Sequence, residues 1–548
     1  MQRTSNLLLK LHHFPLVQTL LVCWALNTCA SVLYVDVNSA NPTPPYTNWA
    51  TAAQSIQDAV DIAAASDAVL VTNGTYATGG KAIYGTMTNR VAVDKPLTVR
   101  SVNGPQFTII EGSQVSGSFV GDGAVRCMYL TNGANLSGFT LTNGATLASV
   151  YYTEANGGGV YCESESVVVS NCIIIGNWAQ YYGGGAISGT LRDCTLTGNS
   201  AGSGGGGASG SNLHGSTMIG NYAYSTGGGA EHCTANKTIL RGNTSFWGGG
   251  AAYGTLTDCI LNDNSAYDGG GAFHSTLINC VLSANSAAEG GGGAALDTLN
   301  NCTVVNNSAS GFGGGAAGHY SNLGVGIALN NCIIQFNTAP SDPNFDSGFS
   351  ILNYCCTAPQ TTNGFRNITN EPLFIDLAGG NLRLQSNSPC INSGNNDSAP
   401  SGPDLDGNPR IVGVAVDIGA YEFQNPSSVI SYAWLQYYGF PTDSSADYED
   451  PDRDGMNNWQ EWIAGTNPTN ALSVLKMVAP SNAVPSIAVT WQSVAGITYF
   501  LQRGTNLTVQ PPFLSLQSNI VGQVDTTTYM DTNGAGGGAF FYRVGVQQ

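Results

Sequence analysis

The chain has 548 residues, enough for several domains, and only 9% of them are charged. It contains 71 glycines, and its 35 Asp and Glu against 17 Lys and Arg give a net charge of −18. This balance excludes an ordinary nucleic-acid or anionic-membrane binder. It also disfavours tight binding of polyanionic polysaccharides unless calcium bridges the two.

The N-terminus has the pattern of a signal peptide. Arg3 and Lys10 are basic, and an apolar stretch from Pro15 to Leu26 follows, too short to span a bilayer comfortably. Small residues at 28–30 offer a cleavage site, so we expect residues 1–30 to be removed and the mature chain to begin near Ser31. No later stretch predicts a transmembrane helix.

Residues 31–125 predict an N-terminal cap and the start of a solenoid. The stretch Trp49 to Ala65 is a predicted amphipathic helix with Ile56, Val60 and Ala63 on one face. Predicted strands follow at residues 68–72, 97–100 and 107–110. We expect the helix to cover the open end of the solenoid, where unpaired strand edges invite aggregation.

A repeat of about 22 residues dominates the chain between Cys172 and Asn337. Each unit has a Cys-x₄-Asn pattern, or a relative of it, followed by three or four glycines. The asparagines stand at 177, 199, 221, 243, 264, 285, 307 and 337. Residues of low helix propensity and short alternating segments favour strands, so each unit predicts one coil of a parallel β-helix.

Residues at the same position of successive coils stack into ladders along the solenoid axis. The first position of the pattern is small and predicts an inward ladder: Cys172, Cys194, Ser216, Thr238, Cys259, Cys280, Cys302 and Cys332. The asparagines predict side-chain amides bonded from coil to coil. We expect most of the cysteines to be free, buried thiols. The adjacent Cys355 and Cys356 cannot easily bridge each other, and either Cys390 or Cys332 could be the disulfide partner of one of them.

The Asn-x-Ala…Gly-Gly-Gly pattern, as in residues 264–271, resembles the repeats of polymorphic outer-membrane proteins and the wider pectin-lyase-like β-helix group. The resemblance covers roughly Gly157 to Ala339. It implies a right-handed parallel β-helix and says little about activity, because this fold hosts lyases, hydrolases and adhesins alike.

An aromatic series stands between the asparagines and the glycines of the repeats. Its members are Tyr181, Tyr182, Tyr224, Phe246, Trp247, Tyr267 and Phe312. Their similar offsets predict an exposed edge on which sugar rings could stack. The alternative is a purely structural stack against loops or a neighbouring domain.

A polar series follows the glycines on three consecutive coils: His232, Tyr253 and His274. Outward side chains would form a weak candidate site for a polysaccharide β-elimination, with a base and an acid one coil apart. We favour the other interpretation, in which the three side chains pack inward. No acidic cluster of the glycosidase kind is apparent.

Residues 371–425 are predicted to close the solenoid. The segments 388–394, 404–410 and 416–422 stand in an order that resembles the choice-of-anchor module at the end of many bacterial β-helix proteins. The resemblance implies export and surface association. Asp404 and Asp406 within it could bind a metal, but we favour a role in a turn.

Residues 426–477 predict a short helix at 430–438 and then a calcium loop, Asp450-Pro-Asp-Arg-Asp-Gly-Met-Asn-Asn-Trp-Gln-Glu461. The spacing fits D-x-D-x-D-G-x₅-E. Predicted ligands are Asp450, Asp452, Asp454, the Met456 carbonyl, Asn458 and, from a helix at 459–464, Glu461.

The loop resembles those of dockerins and thrombospondin type 3 repeats. The helix before it ends about ten residues too early for a full helix–loop–helix hand, so we expect a structural calcium ion.

Residues 478–548 predict a small β-sandwich with strands at 486–491, 498–503 and 540–546, and they resemble fibronectin type III-like domains. With the coils at 126–370, the predicted fold class is all-β: a right-handed parallel β-helix, a calcium-loop module and a C-terminal β-sandwich.

The sequence favours an exported, extracellular or cell-surface scaffold that binds polysaccharide or another surface glycan, or acts in adhesion. A polysaccharide lyase or glycoside hydrolase is the alternative, and a stalk without ligand is a third. The chain does not indicate its oligomeric state.

Overall fold

The structure, a computed structural model, describes residues 30–318, 326–478, 481–483, 486–533 and 539–547, with the side chains of 481–483 left out. Of the predicted signal peptide, residues 1–29 lie outside the described residues. Among the described residues, no helix has both the length and the apolar character to cross a membrane.

Residues 32–318 and 326–365 form a parallel β-helix built on three long sheets. The strands of sheet 1 are Val32–Val35, Ala68–Val71, Thr98–Ser101, Asn135–Ser137, Val168–Ser170, Thr190–Arg192, Asn212–His214, Thr234–Asn236, Thr255–Thr257, Thr276–Ile278, Thr298–Asn300, Ile327–Asn330, Ser350–Asn353 and Gly364–Phe365. The strands of sheet 2 are Gly74–Tyr76, Thr108–Glu111, Thr140–Thr142, Ile173–Ile175, Thr195–Thr197, Thr217–Ile219, Ile239–Arg241, Ile260–Asn262, Val281–Ser283, Thr303–Val305, Ile333–Gln335 and Cys356–Thr357.

Sheet 3 has shorter strands in the coils of the repeat. Its strands are Lys81–Ala82, Thr88–Val93, Val125–Leu130, Val160–Cys162, Ala186–Ile187, Ala208–Ser209, Ala230–Glu231, Ala251–Ala252, Ala272–Phe273, Ala294–Ala295 and Ala316–Ala317. Only the first pair in sheet 3 is antiparallel. Two smaller parallel sheets lie between sheets 2 and 3: Trp178–Ala179, Ser200–Ala201 and Tyr222–Ala223, then Ser265–Ala266, Ser286–Ala287 and Ser308–Ala309. The coil arrangement predicted from the repeat is confirmed.

The asparagine ladder connects the coils of the repeat. Asn199 Oδ1 accepts from the backbone N–H and the side-chain amide of Asn177, at 3.1 and 3.0 Å. Asn199 Nδ2 donates to the carbonyl of Ile174 and to Asn221 Oδ1, at 2.8 and 3.0 Å. The same pattern continues to Asn337, whose Nδ2 donates to Asn344 Oδ1. Each buried amide is therefore satisfied by its neighbours along the axis.

Two further sets of residues stack from coil to coil: the small side chains that precede each strand of sheet 2, and the glycines that precede each strand of sheet 3. The Cys, Ser and Thr of the ladder all lie buried, and all twelve described cysteines are free thiols, including Cys355, Cys356 and Cys390. Gly227 has φ +60°, and a Cβ on Gly228 would lie 2.5 Å from the carbonyl oxygen of Gly249 in the next coil. A side chain at this corner would separate the coils.

The N-terminal helix is shorter than the sequence pattern predicts. A 3₁₀ turn at Trp49–Thr51 is followed by an extended break, and the α-helix runs from Ile56–Ile62 with Ser55 as its N-cap. Ser55 accepts from the Asp58 N–H and so fixes the helix start. Ile56, Val60 and Ala63 join the apolar interior of the solenoid, which places the helix at its first coils.

The segment 371–425 packs along the side of the last coils of the solenoid. Its hairpin Phe374–Asp376 and Asn381–Leu384 and its 3₁₀ turn Asn396–Ser398 precede a long irregular stretch. Phe374, Cys390 and Ile418 pack on outward residues of sheet 2, among them Val305 and Ile333. Outward apolar residues of the last coils require a cover, and this segment supplies it.

Two short helices and a β-sandwich complete the chain. The helices are Tyr432–Tyr437 and Asn458–Ala464, and a further short helix, Tyr152–Ala155, lies in a loop of the solenoid. The sandwich has two antiparallel sheets: Ser481–Ala483, Ser486–Ser493 and Asp525–Asp531, then Leu514–Val521, Thr498–Gly504 and Phe541–Val546. Trp491 and Tyr499, one from each sheet, form its core.

Replacement of one ladder amide should weaken the solenoid. Asn243→Ala removes the bonds to Met218 and Asn264 and leaves the buried N–H of Asn221 without its acceptor. We expect a loss of about 2–4 kcal/mol in the free energy of unfolding. The control Asn236→Ala, on the outer side of sheet 1, should cost less than about 1 kcal/mol. Equal losses in chemical denaturation would contradict the ladder's role.

Candidate functional site

The predicted aromatic series lies along one strip of the solenoid, but it is interrupted. One column of this strip consists of the bridged residues Tyr182, Gly204, Thr226, Trp247 and Asp268, and a hydrogen bond from Gly290 to Asp268 connects it to the bridged pair Gly290 and Phe312. Two coils without a ring in this column separate Tyr182 from Trp247. Tyr181 and Tyr224 lie near the column, and Tyr224 is 71% exposed. The series is therefore broken into groups rather than continuous.

Phe246, Trp247 and Tyr267 form the compact group of this series. The rings of Phe246 and Tyr267 stack with centroids 4.8 Å apart and planes at 8°. Trp247 meets Phe246 edge to face at 4.6 Å. Phe246 and Tyr267 are 44% and 41% exposed, so part of each side chain is accessible to solvent.

His232, Tyr253 and His274 point outward, contrary to the inward packing that we favoured. All three have a left-handed backbone, with φ of 50°, 55° and 50°. This bend interrupts the alternation of the strand before it and turns the side chain away from the interior. The rings of His232 and Tyr253 stack at 5.1 Å, and Tyr253 and His274 lie 5.5 Å apart.

Phe273 joins the two groups and was missed in the sequence. Its ring lies 6.3 Å from Trp247 and 5.9 Å from Tyr253. The signal was present, because Phe273 stands at the second strand position of sheet 3, where the two neighbouring coils carry Ala252 and Ala295. We call the resulting set of seven rings the aromatic surface: His232, Phe246, Trp247, Tyr253, Tyr267, Phe273 and His274.

Two carboxylates beside the aromatic surface, those of Glu231 and Asp268, make hydrogen bonds between coils. Glu231 is buried, and its carboxylate accepts from the hydroxyls of Ser209 and Thr226 at 3.0 and 2.5 Å. A Cβ on Gly204 would lie 2.3 Å from this carboxylate, so the glycine makes room for it. Asp268 accepts from the Gly290 N–H at 3.0 Å, and burial raises its pKa. Both acids connect neighbouring coils.

The predicted calcium loop brings its acidic side chains together. Asp450, Asp452 and Asp454 each offer an oxygen within 4.8 Å of the others. Each also has one buried carboxylate oxygen without a hydrogen-bond partner, as does Glu461, and the buried amide oxygen of Asn458 has none either. The opposite oxygens accept from backbone N–H groups inside the loop and hold its shape. Gly455 has φ +98°, which permits the turn.

Glu461 projects into this cluster from the helix Asn458–Ala464. Asn457 caps the helix through a capping box with Gln460, which fixes its start at the end of the loop. Glu461 is fully buried, and burial together with Asp452 and Asp454 raises its pKa to about 7. Buried carboxylates that converge without a cation destabilise one another. The donor set, hard oxygens from four acids, fits calcium.

The side chains of Met456 and Asn458 and the two acids at 404 and 406 also make contacts within the protein. Met456 places its sulfur 3.4 Å from the Leu475 N–H, which ties the loop to the segment after the helix. Asn458 Nδ2 donates to the Ala446 carbonyl. Outside the loop, Asp404 accepts from the N–H groups of Asp406, Asn408 and Glu422, and Asp406 pairs with Arg383. These partners fit the turn role.

No family model and no curated protein sequence matches the chain. Solved structures that resemble it include the pectate lyase Pel9A, with a TM-score of 0.39 and 13% identity over 72% of this chain and 96% of that chain. A rhamnogalacturonan lyase has a TM-score of 0.36 and 12% identity over 65% and 95% of the two chains. At this level, the likeness transfers neither an activity nor a site residue.

The two kinds of ring in the aromatic surface should respond differently to truncation. Phe273→Ala removes a buried ring and should lower the free energy of unfolding by about 3 kcal/mol. His232→Ala removes an exposed ring and should cost less than about 1 kcal/mol. Thermal and urea unfolding of both variants measure this, and a large loss in His232→Ala would show that its ring belongs to the core.

Proposed function

We propose that this protein is an exported β-helix scaffold that binds polysaccharide through the aromatic surface. The observation that supports the proposal is the exposed Phe246–Tyr267 stack, which Phe273 and Trp247 connect to Tyr253 and the two histidines. Flat apolar faces with polar tips suit the apolar faces and hydroxyl groups of sugars. Rings on adjacent coils also lie at a spacing of about 4.8 Å, close to the scale of one sugar ring.

The geometry favours binding over catalysis. Glu231 and Asp268, two acids beside the surface, are held by hydroxyl and backbone donors in neighbouring coils. His232 and Tyr253 stack face to face, so their polar atoms do not face each other across a gap for a substrate. A polysaccharide lyase remains the second candidate, because His232, Tyr253 and His274 are exposed side by side.

Removal of the exposed stack tests the proposal. Phe246→Ala/Tyr267→Ala should weaken retention on an immobilised glycan panel at least about tenfold, the scale of a truncated binding hot spot. The control Phe107→Ala/Tyr448→Ala removes two exposed rings elsewhere and should bind as the parent does. Equal retention by all three proteins would contradict binding at this surface.

The same panel distinguishes the two candidates. Ultraviolet absorbance from unsaturated products, abolished by His232→Ala or Tyr253→Phe, would establish a lyase and overturn the scaffold. Retention without such products supports the scaffold. Absence of both signals over a broad panel would favour the stalk.

We further propose that the loop at 450–461 binds a structural calcium ion that stabilises the module between the solenoid and the β-sandwich. When bound, the ion would supply positive charge to Asp450, Asp452, Asp454 and Glu461, whose inward oxygens are otherwise unpaired. The helix that carries Glu461 also carries Trp459 and Trp462, which pack with Leu435 and Ala446. Loss of the ion should therefore loosen this local core.

Chelation tests the calcium proposal. EGTA should lower the melting temperature of residues 430–477, which tryptophan fluorescence measures. The solenoid should stay folded, which circular dichroism measures. Asp452→Asn/Glu461→Gln should reproduce the loss and remove the response to EGTA, whereas the control Glu371→Gln should respond as the parent does. Unfolding of the whole chain by EGTA, or no response, would contradict a local structural ion.

A further inference from the structure

A cleft of about 450 Å³ lies where the last coils of the solenoid meet the module and the β-sandwich. Its walls come from five separate parts of the chain: residues 354–370, residues 392–394, the region of the helix Tyr432–Tyr437, the end of the helix Asn458–Ala464 and the loop at 494–497. This volume lies in the range of small-ligand sites. The cleft is distant in sequence from the aromatic surface and shares no residue with it.

Half-buried rings line this cleft from several sides. Tyr354 and Phe365 meet edge to face at 5.8 Å on the solenoid wall. Trp434 and Tyr438 meet in the same way at 4.9 Å on the helix wall, and Trp462 lines the cleft from the next helix. Rings that are only half covered by the protein leave apolar area for a ligand.

Arg366 is the only charged residue that lines the cleft, and no Asp or Glu lines it. This composition is unusual in a chain with a net charge of −18. The guanidinium lies 5.3 Å from the Phe365 ring and 6.0 Å from the Tyr354 ring. Within the described parts of the chain, no carboxylate lies within ion-pair distance of it. Two rings therefore position a cation whose planar set of donors is open to an anion.

Polar side chains next to Arg366 add neutral hydrogen-bonding groups. Gln360, Thr369 and Asn370 line the cleft and are exposed. Their side chains make no hydrogen bond to other described residues. Amides and hydroxyls of this kind suit the many hydroxyl groups of a sugar, whereas a purely aromatic acid would leave them without a role.

We propose that this cleft is a second ligand site, which binds the end of a short saccharide bearing one carboxylate. The carboxylate would pair with Arg366, the sugar rings would lie against Trp434, Tyr438 and Trp462, and Gln360, Thr369 and Asn370 would bind the hydroxyl groups. One cation matches one carboxylate, so the site selects a single acidic unit at a chain end. The proposal does not depend on glycan binding by the aromatic surface.

The test uses the full mature chain at constant free calcium. Disaccharides that end in glucuronate or galacturonate, and their methyl esters, are titrated by calorimetry and by the fluorescence of the cleft tryptophans. At least one acid should bind about tenfold more tightly than its ester, because a hydrogen bond to a charged partner is lost in the ester. This preference should decline as ionic strength rises.

Variants assign the effect to the cleft. Arg366→Gln should remove the preference for the acid, and Arg366→Lys should retain part of it, because lysine keeps the charge without the planar fork. Arg241→Gln, an exposed arginine on the solenoid that pairs with Asp263, and Phe246→Ala/Tyr267→Ala should both bind as the parent does. No binding of either acid, equal binding of acid and ester, or an unchanged Arg366→Gln would overturn the proposal.

Discussion

The asparagine ladder is the constraint on which the rest of the solenoid depends. Each side-chain amide bonds to the corner of the coil before it and to the asparagine after it, so every coil must present its corner at the same place. A corner fixed in this way also fixes the positions that follow it. The glycines approach the backbone of the next coil too closely for a Cβ, and the cysteines fill the interior beside them. The interval is 21 or 22 residues from Asn177 to Asn307 and 30 residues from Asn307 to Asn337, so the length between corners varies only through loop residues.

Exceptions to the repeat create the surface that we assign to binding. The second strand position of sheet 3 is alanine in the coils on either side of Phe273, and the ring there makes contact with both Trp247 and Tyr253. Stacking brings these exceptions together, because residues 21 or 22 apart in sequence become direct neighbours. The regular positions maintain the fold, and a few substitutions on two or three coils are enough to build a site on it.

The features that the sequence predicted are those that recur with the repeat or lie within one short segment. Both ladders, the strands of the coils and the acids of the loop at 450–461 follow from spacing alone, since each depends on contacts between equal offsets or within twelve residues. The outward direction of His232 did not follow, because it depends on a left-handed bend after the strand that the spacing of the repeat does not indicate. The cleft around Arg366 could not follow either, because its walls come from segments as far apart as Tyr354 and Ile497, which no repeat relates. The lateral position of residues 371–425 has the same cause.

The low charge of the chain follows from the same stacking. Equal offsets on neighbouring coils lie about 4.8 Å apart, so a repeated charge would form a column of like charges that repel one another. Some charges in the repeat lie beside an opposite partner, as Arg241 does with Asp263 one coil away at 3.2 Å. A binding face built on such a solenoid cannot rely on rows of like ions. Aromatic rings stack on neighbouring coils without this penalty, as Phe246 and Tyr267 do.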